Sequence, residues 1–103
     1  MEQIQELLDA PTSGADAPTL ARMEDTLTEG YAQALALEAE RWRLERRLGE
    51  VARSLDDGDG SSFADELSSL ARRLTSADGE LTKLRSLLGS LHERTRSARL
   101  AAG

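Results

Sequence analysis

The sequence predicts an all-α chain: an antiparallel two-helix coiled-coil hairpin, with dimerisation into a four-helix bundle as an open alternative. Three observations predict it. Charged residues make up 31% of the 103 positions and aromatics only 3%, the balance of a long helical protein rather than of a core filled with large apolar side chains. Apolar residues recur at alternating spacings of three and four through two long stretches. The two stretches also match, position by position, when one is folded back on the other.

Residues 1–19 read as a short helical turn followed by a flexible linker. Within residues 2–9 (EQIQELLD), Ile4, Leu7 and Leu8 share one face, although so short a helix is marginal alone. Residues 10–19 (APTSGADAPT) are rich in turn formers, and Pro18 suits the first turn of the helix that follows.

The first long helix spans residues 20–55. Its seam is Leu20, Met23, Leu27, Gly30, Ala34, Leu37, Arg41, Leu44, Leu48, Val51 and Leu55, in which only Gly30 and Arg41 are not apolar. Residues 56–62 form the turn, where Asp56-Asp57-Gly58-Asp59-Gly60 favours chain reversal. Asp57, Asp59 and Ser61 have the spacing that opens a calcium loop. Ser62 and Ser68, however, stand where such a loop requires glycine and glutamate, so turn chemistry is the better account. Ser62 followed by Asp65 resembles a capping box at the head of the second helix, residues 63–101. That helix carries the seam Phe63, Leu67, Leu70, Leu74, Ala77, Leu81, Leu84, Leu88, Leu91, Thr95 and Ala98, polar only at Thr95.

Pairing residues whose numbers sum to 118 joins every position of one seam to a position of the other. Small residues then oppose large ones: Gly30 faces Leu88, Ala34 faces Leu84, and Arg41 faces Ala77. Alternation of size is how facing layers interdigitate. Arg41 either snorkels past Ala77 toward Asp78 or fixes register, as polar seam residues do.

The function classes narrow accordingly. A net charge of −6 argues against wholesale nucleic-acid binding. Without cysteine there is no disulfide and no thiolate metal site. No apolar run approaches the roughly 20 residues of a membrane span, and the first residues lack the pattern of a signal peptide, so the expected location is cytoplasmic. His92 is the single histidine and should face solvent. Neither a triad nor a zinc site can be assembled from it, so neither an enzyme nor a metal or other cofactor is expected. Charge is also uneven along the chain: residues 1–16 carry Glu2, Glu6, Asp9 and Asp16 without a base, whereas Arg94, Arg96 and Arg99 crowd the last twelve residues.

Two features outside the seam are candidates for binding. Tyr31, Leu35, Glu38 and Trp42 fall at i, i+4, i+7 and i+11 and so share a helix face. The N-terminal segment, a second hairpin or a foreign protein could cover it; Tyr31, Leu35 and Trp42 are the expected partner-binding residues, because Trp and Tyr dominate binding hot spots. Arg41, Arg43, Arg46 and Arg47 surround Trp42, but Glu38, Glu40, Glu45 and Glu50 are interleaved with them. That interleaving reads as ion pairs on a solvated face.

Asp78, Thr82, Arg85, Gly89 and Glu93 are spaced four, three, four and four residues apart. The segment resembles the nucleotide-binding helix of small actinobacterial cyclic-di-GMP-dependent anti-sigma factors, themselves antiparallel helical hairpins. Their pattern is Glu, Ser, Arg, Gln and Asp at those spacings. Here the two acids are interchanged, Thr82 stands for Ser, and Gly89 stands for Gln. A second register, Asp65, Ser69, Arg72, Ser76 and Glu80, fits about as well. The resemblance implies a transcription regulator that binds a cyclic dinucleotide through Arg72, Thr82 and Arg85. It stands as the alternative to the principal expectation, a non-enzymatic protein–protein interaction or scaffold module acting through a protein partner or self-association.

Overall fold

The computed structural model describes residues 1–54 and 60–102, with side chains throughout that range except at residues 60–62. It is all-helical there, with no strand among the described residues: α1 is Glu2–Asp9, α2 is Leu20–Ser54 and α3 is Gly60–Ala102. The long helices α2 and α3 pack together. The Asp57/Asp59 loop chemistry, the side chain of Ser61 and the Leu55–Phe63 layer lie outside the described residues.

Local chemistry sets the end of α1 and the start of α2. α1 ends where Ala10 turns to extended backbone (φ −73°, ψ 157°), the conformation that a following proline imposes. Gly14 takes φ +95°, a left-handed geometry open to glycine at little cost, and the Ala17 amide donates to its carbonyl at 3.2 Å. Thr19 then caps α2, its Oγ1 accepting from the Arg22 amide at 3.1 Å. Pro18 therefore lies just outside α2 rather than in its first turn; the cap needs a side-chain acceptor, which Thr19 has and proline lacks. α3 begins at Gly60, ahead of Ser62. The capping box expected of Ser62 rests on a side chain outside the described residues.

Contacts divide the chain into two compact units, Met1–Leu35 with Thr82–Gly103, and Ala36–Leu81. In the first, Ile4 and Leu7 of α1 are buried together with Met23 and Leu27 of α2 and Leu84, Leu88 and Leu91 of α3. Thr26 and Thr95 are buried too, and each hydroxyl donates to a carbonyl of its own helix, Arg22 at 2.9 Å and Leu91 at 2.7 Å. Gly30 lies directly under Leu88: a Cβ there would collide with Leu88 Cδ2 and stand 3.3 Å from Ile4 Cδ1. Arg99 Nη2 donates to Glu24 Oε1 at 2.6 Å.

α1 is held in this unit from two sides. Ile4 fills the surface beside Gly30 and Leu7 is buried with it, each burial being worth about 1.5–3 kcal/mol. Arg94 of α3 donates through Nη1 to the Leu8 carbonyl and through Nη2 to the Ala10 carbonyl. These are end groups that an eight-residue helix leaves without partners of its own.

In the second unit, Leu44 and Val51 of α2 are buried with Leu70 and Ala77 of α3, and Leu48, Phe63, Leu67 and Leu74 pack against them half-buried. Partial burial is what two helices alone provide, since a single seam covers only one side of each leucine. As the α2 position rises from Arg41 to Arg47, its ion-pair partner in α3 falls from Asp78 to Glu66. In the first unit, likewise, the partner falls from Arg99 to Leu88 as α2 runs from Glu24 to Gly30.

Candidate functional site

The first unit exposes Tyr31 and Leu35, at 47% and 66% of their full accessibility, and the second exposes Trp42, at 73%. Each sits on α2 outside the seam, where the heptad pattern turns a side chain away from α3. α1 folds back but does not cover Tyr31. It packs on the side marked by Gly30, because the missing side chain there lets Ile4 approach the backbone. Tyr31, one residue on, is rotated about 100° around the helix.

Around Trp42 the charges are organised across the helices more than along one of them. Arg41 Nη1 donates to Asp78 Oδ1 at 3.0 Å, the snorkelling geometry expected from the seam, while its shielded Nε has no hydrogen-bond partner and lies 3.9 Å from Glu45. Arg47 grips Glu66 Oε1 through Nε at 3.0 Å and Nη2 at 2.8 Å, and it also stands 3.5 Å from Glu50. The hydrogen bond to Glu66, with the attraction between the two charges, raises the Arg47 pKa above its already high ordinary value. Arg73 lies 4.0 Å from Glu40. Arg43 and Arg46 are exposed.

Arg72 lies in the second unit, and Thr82 and Arg85 in the first; all three are exposed. Thr82 and Arg85, three residues apart on α3, share an outer face. Asp78, which opens the anti-sigma-like spacing, is the carboxylate that Arg41 holds. His92 is exposed. No group of three or more His, Cys, Asp or Glu side chains among the described residues is arranged to hold a metal ion, and no helix among them is long and apolar enough to cross a membrane.

The interaction that motif reasoning misses is the clasp of Arg94 on the end of α1. Its only signal is the charge asymmetry, an acidic N-terminal segment against a basic C-terminal one. Compared with models of known families, with curated proteins and with solved structures, the chain matches none.

Proposed function

We propose that the chain is a non-enzymatic protein–protein interaction module. In this reading α2 and α3 form an antiparallel coiled-coil hairpin that stabilises itself through the seam and offers the outer face of α2 to a protein. The pattern of charge pairs supports the hairpin. Counting heptads from the seam, Glu40 with Arg73 and Arg47 with Glu66 join one set of flanking positions in the second unit. Glu24 with Arg99 joins the opposite set in the first. Opposite charges at the flanks of a heptad seam select partner and direction.

The observation that carries the function is the exposure of Trp42, Leu35 and Tyr31. On the helical period the three share a face of α2. Aromatic residues with a neighbouring aliphatic are the composition of a binding hot spot, and all three stay exposed.

Two measurements test the proposal. Sedimentation velocity over a concentration series examines self-association, and a photoreactive residue at position 42, in cells that make the protein, examines a foreign partner. The expected result is either a concentration-dependent dimer weakened by Trp42→Ala, or a discrete protein adduct lost when Tyr31 and Leu35 become Ala. A chain that stays monomeric and yields no adduct overturns the proposal.

A further inference from the structure

The surface that α1 occupies is itself a helix-accepting groove, and we propose that α1 is a displaceable latch over it. The groove is formed within one unit by α2 and the C-terminal half of α3. It is a different face from that of Tyr31, and the inference stands apart from the proposal made for that face. The partner it fits is a short acidic amphipathic helix with two apolar residues one turn apart.

The seated segment defines that chemistry. α1 carries Glu2, Glu6 and Asp9 and no base, and it inserts Ile4 and Leu7, which retain 3% and 2% of their accessibility. The groove complements each feature. Gly30 supplies a floor without a side chain, against which Ile4 rests. Lys83 and Leu87 line the cleft beside Glu2 and Gln5. Arg94 closes the far end by donating to the last carbonyls. Those bonds go to backbone oxygens, so any helix ending at that point presents the same acceptors.

The attachment of α1 is also slight enough to reverse. It is eight residues long, below the length at which isolated helices persist, and no side chain caps its N-terminus. Residues 10–19 tether it to α2, so release leaves α2 and α3 in place. The affinity of such a groove for an outside helix is reduced by the fraction of molecules in which the latch is open.

The test uses the full chain carrying Ile4→Asp and Leu7→Asp, which detaches α1 without altering the groove. A fluorescent peptide of residues 1–11 serves as the probe. The double variant should bind it saturably and about tenfold or more tighter than the unaltered chain does, and Arg94→Ala in the variant should weaken that binding. Hydrogen exchange on the unaltered chain should show amides of residues 5–9 opening much faster than those of residues 84–92. A variant that keeps its helical circular dichroism but binds no peptide overturns the proposal. So does binding no tighter than that of the unaltered chain, or α1 exchanging at the same rate as α3, which means that it is released only by global unfolding.

Discussion

Arg41 crosses from the seam of α2 to Asp78 of α3, the residue that follows the buried Ala77, at 3.0 Å from Nη1 to Oδ1. An arginine stem in an apolar seam is tolerated because its head reaches a carboxylate near water, with the Arg41 side chain 29% and that of Asp78 58% accessible, and the small Ala77 of the mirrored position matches it in size. A pair this wet contributes about 1 kcal/mol or less. Asp78→Ala should therefore cost no more than about 1 kcal/mol in urea unfolding. Ala77→Leu should cost about 1–3 kcal/mol, because the layer cannot hold both a leucine and the arginine stem. If Asp78→Ala proves the costlier of the two, the charge pair rather than the packing holds this layer.

Gly30 and Gly89 should respond to alanine with opposite signs. Alanine in a helix is favoured over glycine by about 1 kcal/mol. A Cβ at Gly79 or Gly89 meets nothing within 4 Å, so Gly79→Ala and Gly89→Ala should each stabilise by up to about 1 kcal/mol. At Gly30 the same atom collides with Leu88, which is itself only 3% exposed and hemmed in by Ile4. There the overpacking term of about 1–3 kcal/mol outweighs propensity, and Gly30→Ala should lower the melting temperature. Thermal unfolding of the three variants side by side decides it.

These two layers were legible because an arginine and a glycine are conspicuous in a leucine seam, and each has its size complement at the mirrored position. The face carrying Tyr31, Leu35 and Trp42 was legible as a stripe, but periodicity says nothing of what lies over it. The seat of α1 was not legible: three apolar residues on eight are compatible with docking on either flank of the seam, and the choice rests on the absent side chain at Gly30. Beyond the charge asymmetry of the two ends, no sequence pattern records Arg94, whose partners are backbone carbonyls.

Thr95 is the one polar residue of the second seam, 2% exposed, its hydroxyl bonded at 2.7 Å to the Leu91 carbonyl. That carbonyl already has the helical N–H as its regular partner, so removing the hydroxyl orphans nothing. Thr95→Val keeps the shape and should be neutral or stabilise by up to about 1 kcal/mol, since a polar group replaced without leaving an unpaired partner carries little penalty. A loss above about 2 kcal/mol, the range of a buried group left unsatisfied, would falsify this account and give the hydroxyl a structural partner beyond Leu91.

The resemblance to cyclic-di-GMP-dependent anti-sigma factors makes its own prediction, which conflicts with the interaction-module reading. A dinucleotide clamp needs arginine forks held ready for phosphate together with a hydroxyl donor, for which Arg85, Arg72 and Thr82 are the candidates. All three are exposed, but the acid that opens the spacing, Asp78, is engaged by Arg41, and Gly89 offers no side chain where the family pattern has glutamine. An interaction module should therefore give no heat with cyclic di-GMP at millimolar ligand in titration calorimetry. Saturable micromolar binding that Arg85→Ala abolishes, and that Trp42→Ala leaves unchanged, would replace the module with a nucleotide-responsive regulator. It would also move the functional face from α2 to α3.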